Sequence, residues 1–226
     1  MDPGERFAAL LAGPAATLPL DEAALCIAAH ARPGLDIDGY LGRLDDLAAA
    51  CRNPTLDGLV SILFGRNGFR GNVDDYYDPD NSMVDQVIDR RRGIPITIAL
   101  VAMEVGRRAG VPLDGVGMPG HFLLRDKVDR SVFVDPFDGG RLLDAGGCRR
   151  VFEQVAGGRV GWHEDHLEPI SRPAIIERVL ANLKQVYGQT QDVAQLRWVG
   201  RLRLACPNVD QAAEHDELAR LSAPMN

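Results

Sequence analysis

The apolar positions along this chain change period twice, and the changes divide it into three parts. From residue 4 to about 53 they recur at helical spacing. LPLDEAALCIAAHA is an alanine-rich apolar run with Asp21 as its candidate N-cap and Pro33-Gly34 as its stop. In LDIDGYLGRLDDLAAACR, Ile37, Tyr40, Leu41, Leu44, Leu47 and Ala48 share one helical face. LDGLVSILFG predicts another helix. NGFRGNVDDYYDPDNS then loses periodicity and gains turn residues, which predicts an ordered loop held down by Phe69, Tyr76 and Tyr77. SMVDQVIDRRR predicts a short helix capped by Ser82.

The segment GIPITIALVAMEVGRRAG predicts the central helix of the fold. Pro95 suits a first turn, where its missing N–H costs little. Arg107 and Arg108 complement the negative end of the helix dipole, and Gly110 can close the helix in a left-handed conformation. Ile98 to Met103 is apolar on every side, which only a helix buried all round needs.

After Gly110 the period shortens to two. LDGVGM, HFLLR and SVFVD are short, rich in branched or aromatic residues, and bounded by turns. Joining HFLLR to SVFVD through Asp126 to Arg130 gives a register symmetric about Val128. Arg125 then faces Ser131, Leu123 faces Phe133, and His121 faces Asp135. Opposed residues carry Cβ atoms only ~5 Å apart, so this register sets an imidazole beside a carboxylate. From Ser171 the helical period returns. IIERVLANLKQVYG and DVAQLRWVGRLRLA predict a helical hairpin, followed by VDQAAEHDELARL, with no second copy at a repeat period of ~34 residues. The expected organisation is a helical region with its loop over 1–81, an α+β core over 82–170, and a helical tail over 171–226.

Composition adds exclusions. At 46% hydrophobic and 25% charged, the chain is a folded globular one. A net charge of −7, with Arg90-Arg91-Arg92 as the longest basic run, excludes a nucleic-acid footprint. No apolar run reaches the ~20 residues of a membrane span, and MDPGERFAALLAG does not read as a signal peptide. Cys26, Cys51, Cys148 and Cys206 form no CxxC pair, so reduced thiols in a cytoplasmic protein are expected.

The candidate chemistry centres on His121 and Asp135. A carboxylate that orients an imidazole is two thirds of a nucleophile–base–orienter system, and the same pair also serves as a buried tie within a hairpin. His163 and His166 in GWHEDHLEP read as a solvated helix start rather than a metal site, which wants three or four convergent ligands. Gly139-Gly140 is a turn with no phosphate-binding helix after it. DDYYDPD lacks calcium-loop spacing, and reads as a loop paired with Arg70 and Arg90 to Arg92.

FRGNVDDYYDPDNSMVDQVIDRRRGIPITIALVAMEVGRRAGVPLDGVGMPGHFLLR, with VDPFDGG after it, resembles the SirB family of bacterial transglutaminase-like proteins over residues 20–145. The resemblance implies an α+β, papain-like core of one buried helix on an antiparallel sheet, and likens the C-terminal hairpin to a tetratricopeptide-like tail. It matches His121 and Asp135 to the histidine and aspartate of the superfamily's triad. Transglutaminases carry a cysteine at the helix start, and counting back from Ala99 and Gly110 lands on Pro95. Proline supplies neither a nucleophile nor an N–H. Among substitutes, Thr97 is expected to bond back to its helix, Ser82 to cap, and Cys148, Cys26 and Cys51 to pack.

The leading expectation is therefore a transglutaminase-like protein without a thiol nucleophile, acting as a binding or regulatory module on a protein or peptide partner. Its cleft lies at the start of the central helix, lined or supported by His121, Asp135, Asn72, Tyr76 and Arg90 to Arg92. No metal or cofactor is expected. One alternative is an amide hydrolase or acyltransferase with His121 as general base to water or a hydroxyl. Another is a scaffold that binds its partner through the C-terminal helices.

Overall fold

The computed structural model describes residues 2–158 and 160–222, and they form a mixed assembly of helices with small sheets. Helices α1 (Pro3–Leu11), α2 (Leu20–Ala31), α3 (Ile37–Ala49) and α4 (Leu56–Val60) come first. Helix α4 runs on into a wider π-type turn, Ser61–Arg66. After the loop come α5 (Val84–Arg90) and α6 (Pro95–Ala109). The expected central helix forms with Pro95 at its first position and Gly110 at φ +78 as its left-handed close. Its residues from Pro95 to Gly106 are all buried, and α2, α3, α5 and α8 (Arg172–Gln189) pack around it.

Strands β3 (Leu113–Val116), β4 (Leu123–Asp126), β5 (Phe133–Asp135) and β6 (Arg141–Leu143) make an antiparallel sheet in sequence order. The two-residue strands β1 (Arg70–Gly71) and β2 (Arg92–Gly93) pair in parallel. The sheet alternates between two cores. Leu113, Leu124 and Val134 join the main core with α6. Val116, Leu123 and Phe133 point the other way, into a smaller core with Cys148, Val151 and Phe152 of α7 (Ala145–Ala156). Strand β6 and helix α7, which Asp144 caps at the Gly147 N–H (2.6 Å), lie in a stretch for which no element was expected.

The β4–β5 register differs from the expected one by two residues. Arg125 pairs with Phe133 and Leu124 with Val134, so symmetry runs about Asp129 rather than Val128. Side-chain caps cause the shift. The Asp126 carboxylate accepts from the Val128 N–H and the Asp129 carboxylate from the Ser131 N–H, both at 3.0 Å, and Val132 N–H donates to Asp129. These turns take up residues that a plain five-residue connection would leave for pairing. A shift of two keeps every side chain on its own face, whereas a shift of one would have reversed them. His121 lies just before β4 and meets Asp135 diagonally.

Three local expectations also need correction. Asp21 does not cap α2, which Pro19 precedes. The Asp21 carboxylate is buried and accepts from Arg108 at 2.5 Å. Ser82 does not cap α5, because Met83 intervenes and Ser82 ends a 3-10 turn, Pro79–Ser82. Of the loop aromatics, Phe69 is buried, while Tyr76 and Tyr77 stay substantially exposed.

The tail continues with α9 (Val193–Arg203) and α10 (Gln211–Ser222). Ile175, Ile176, Val179, Leu180 and Leu183 of α8 enter the same core as α6. Helix α10 is tied on by Glu214, which accepts from Lys184 (2.8 Å) and Arg203 (2.9 Å). No described helix is long and apolar enough to cross a membrane.

Candidate functional site

A cleft of about 660 Å³ opens where the start of α6, the β4–β5 end of the sheet and one face of α8 meet. Pro95 and Ile96 form part of its floor, His121 and Phe137 one wall, and Tyr76 and Tyr77 its outer edge. Its position follows from the local chemistry of two segments, the loop before α5 and the turn after β5.

The loop is fastened by Asn81, which is fully buried. Its amide donates to the carbonyls of Asp75 (2.6 Å) and Tyr76 (3.2 Å), and its oxygen accepts from Asn72 (2.9 Å) and Arg90 (3.4 Å). Arg90 also pairs with Asp78 at 2.7 Å, and Arg92 with Asp74 at 3.1 Å. Arg32 adds ion pairs to Asp80 and Asp85. The expected Arg pairing of this acidic loop thus holds for Arg90 and Arg92. Arg70 makes no ion pair among the described residues, and Arg32, far away in sequence, takes that place. Gly71 N–H donates to the Phe137 carbonyl at 2.9 Å, which joins the loop to the turn after β5.

On that turn, Asp135 accepts from the backbone N–H groups of Phe137 (3.0 Å) and Asp138 (3.2 Å) and faces His121 Nε2 with both carboxylate oxygens at 3.0 Å. Burial by itself would raise the Asp135 carboxyl. The hydrogen bond and charge of His121, with the two backbone donors, outweigh burial and hold it below the ordinary carboxylate range. No hydrogen bond joins His121 Nδ1 to another described residue, and the ring lines the cleft. Phe137 stands edge-on to the imidazole at 6.2 Å between centroids.

Of the residues singled out in the sequence, Pro95, His121, Tyr76 and Ser82 line this cleft. Asp135, Asn72 and Arg90 sit behind it, and Arg92 braces the loop from outside. Arg91 is turned away. It adopts φ 58 at the end of α5, lays its guanidinium 4.6 Å over the Phe69 ring, and lines a separate pocket with Arg43 and Arg66. Thr97 is sealed in the core, and its hydroxyl has no hydrogen-bond partner, so the expected bond back to the helix is not made.

None of the described Ser, Thr or Cys side chains is hydrogen-bonded to His121, and no cysteine lines the cleft. All four cysteines are reduced and buried. Burial, with nearby carboxylates, pushes the Cys148 thiol up to about 12; burial likewise takes Cys26 to about 11 and Cys206 to about 12. His163 and His166 close a short 3-10 turn, as the Asp165 N–H donates to His163 and the His163 N–H to His166, both at 3.3 Å. Among the described residues no group of three or more His, Cys, Asp or Glu side chains converges as a metal site would require.

Sequence reasoning missed the third wall. Arg178, Asn182 and Gln185 of α8 and Val155 of α7 also line the cleft. The signal was present as polar residues at i, i+4 and i+7 of α8, a spacing that puts them on one face. Nothing in the helical pattern said which element that face would meet.

A family model described as the transglutaminase-like superfamily matches residues 27–181. A UPF0162 protein of Xylella fastidiosa is 39% identical over 222 residues, covering 91% of this chain and 78% of its own length. A UPF0162 protein of Pseudomonas aeruginosa is 33% identical over 178 residues, 74% of this chain and 64% of its own. F-box only protein 21 of Mus musculus is 35% identical over 113 residues, 46% of this chain and 18% of that protein. No solved structure matches at a significant level.

Proposed function

The chain belongs to the transglutaminase-like superfamily, and from that premise we propose that it is a SirB-type member without a thiol nucleophile. It acts as a binding or regulatory module whose cleft at the start of α6 takes a protein or peptide partner. The observation that carries this reading is Pro95, which occupies the first position of α6 and lines the same cleft as His121. Thiol catalysis needs a thiolate within reach of the imidazole. The thiols of this chain lie elsewhere, buried and hard to ionise.

The test is covalent. The native protein is incubated with iodoacetamide or with a peptide chloromethyl ketone, and its intact mass is followed at pH 6–8 beside a His121→Ala control. No adduct is expected at any cysteine. An adduct that forms on the native protein and disappears with His121→Ala sinks the proposal.

One observation favours a second reading, hydrolysis by water. With Nε2 tied to Asp135, the imidazole is oriented as a general base, and Nδ1 has no partner among the described residues. That reading requires turnover of simple peptide amides or esters with a pH profile that His121→Ala abolishes. Absence of His121-dependent turnover across acyl-amino-acid esters and amides leaves the binding module standing.

A further inference from the structure

The cleft carries a positive charge that no carboxylate of the described residues answers. Arg178, half-buried on α8, donates from one guanidinium nitrogen to the carbonyls of Met118 (3.2 Å) and His121 (3.3 Å) and lies 5.6 Å from the centre of the Phe122 ring. It forms no ion pair with any described residue. Other half-buried arginines, among them Arg6, Arg32, Arg90 and Arg108, have carboxylate partners, whereas Arg178, like Arg91, has none among the described residues. Not one of the cleft-lining residues is acidic, although the chain has 32 Asp and Glu and a net charge of −7. The Asp135 carboxylate sits behind His121. Burial lowers the Arg178 pKa, against a smaller opposing effect of the Tyr76 hydroxyl. A cationic group held half out of water without an anion costs free energy, and a ligand anion recovers it.

The two amides beside it say what carries that anion. Asn182 and Gln185 line the cleft, and their side-chain amides make no hydrogen bond to another described residue. Each offers a donor and an acceptor, as a peptide backbone does. Seven residues of helix rise from Arg178 to Gln185, about 10 Å, which matches about three residues of extended peptide at ~3.3 Å each. Tyr76, Tyr77 and Phe137 supply an aromatic wall opposite, with ring planes set edge-on to one another.

We propose that the cleft is a receptor for a short extended peptide carrying a carboxylate, with the carboxylate on Arg178 and the backbone along Asn182 and Gln185. This deepens the functional reading above by naming the chemistry of the partner, and it rests on that reading. A carboxylate can come from a chain terminus or from an acidic side chain. Arginine serves either, through paired N–H donors in one plane.

The probes are N-acetyl-trialanine as the free acid, the same peptide as its C-terminal amide, and N-acetyl-Ala-Glu-Ala-amide, titrated into the full chain while backbone amide resonances are followed by NMR. The free acid, the Glu peptide, or both should shift the resonances of Gly120, His121 and α8, with the neutral amide at least tenfold weaker. If the free acid leads, the partner presents its C-terminus; if the Glu peptide leads, it presents a side chain. Arg178→Met should weaken the carboxylate probes roughly 10- to 100-fold, the loss expected for a charge-assisted hydrogen-bonded pair, and leave the neutral amide unchanged. Because Arg178 also holds two carbonyls, the double variant Asn182→Ala/Gln185→Ala provides a second arm, and should weaken all peptide probes while inorganic phosphate and acetate are unaffected. Equal binding of the neutral amide overturns the proposal, as does binding of inorganic phosphate as tight as the carboxylate peptides, or no shift with any probe. Each of those results leaves the thiol-labelling test untouched, so the failure of this proposal and the failure of the functional reading are separately visible.

Discussion

Replacing Pro95 with cysteine puts a thiol at the first position of a 15-residue buried helix, in the cleft that His121 lines. If that position is the nucleophile position of the superfamily, the helix dipole and the imidazole will lower the thiol pKa. An ordinary thiol near pKa 8.5 is about 3% thiolate at pH 7, and one lowered to about 7 is about 50% thiolate. Intrinsic nucleophilicity falls with pKa by a Brønsted factor of about 0.45, so a drop of about 1.5 units makes the thiolate roughly fivefold slower. The net gain is about threefold at pH 7 and about sixfold at pH 6. The native background is low, since all four thiols are buried and raised, and one at about 11, such as Cys26, is ionised in roughly one molecule in ten thousand at neutral pH. The exchange removes no intrahelical hydrogen bond, because the first position of a helix makes none through its N–H, and lost proline rigidity costs only about 0.4–1 kcal/mol. The assay is iodoacetamide alkylation read by intact mass from pH 5 to 9. The alkylation midpoint should fall near 7 in Pro95→Cys and move toward 8.5 when His121→Ala is added. A midpoint near 8.5 in both variants refutes the placement of Pro95 as the counterpart of a nucleophile.

Three further outcomes follow from the same geometry. Thr97→Val removes a buried hydroxyl that has no partner and replaces it with a methyl of similar volume. It should stabilise the protein by about 1 kcal/mol in urea titration, and a loss of stability would mean that the hydroxyl is bonded. Gly71→Ala would drive a Cβ into the Phe137 ring, so it should lower stability by roughly 1–3 kcal/mol in thermal unfolding and weaken cleft binding through the displaced ring. Asp135→Asn should cost roughly 2–4 kcal/mol at pH 7, since it leaves buried donors short of an acceptor. The pH dependence has a definite sign. The Asp135 carboxyl is held low in the fold, so its contribution is complete above the unfolded value of about 3.9 and is lost as pH falls through the lower folded value. Acid unfolding followed by circular dichroism should therefore lose that slope below pH ~4 in Asp135→Asn.

Much of this was legible in the sequence where local chemistry decides. Pro95 and Gly110 bound α6 because a missing N–H and a left-handed close are properties of single residues. The all-round apolar run between them had nowhere to go but the core. The β4–β5 pairing was legible to within its parity. Its register was not, because the decision fell to the Asp126 and Asp129 carboxylates, whose choice between solvent and backbone depends on the turn itself. The third wall of the cleft was out of reach for a different reason. Arg178, Asn182 and Gln185 form a polar stripe that reads as a solvated helix face, and only the packing of Ile175, Ile176 and Val179 on the main core turns it toward His121. Thr97 failed in the opposite sense. Its local rule suits a helix interior, but Thr97 sits in the first turn, where its i−4 carbonyl, Gly93, lies before the helix and accepts from the Asn72 N–H instead.

The His121–Asp135 pair has a structural role in the turn it sits on. Asp135 accepts from Phe137 and Asp138 as well as from His121. Its carboxylate therefore shapes the turn that carries Phe137, and through the Gly71 N–H it positions the loop that forms the outer edge of the cleft. His121 is the less connected partner, for its carbonyl, not its ring, receives Arg178. Removing the ring leaves Asp135 with two backbone donors and leaves the Arg178 contact in place. Removing the carboxylate loosens the turn, the aromatic wall and the loop together. The two halves of the pair are thus unequal as probes: Asp135 variants report on the scaffold of the cleft, and His121 variants report on its use.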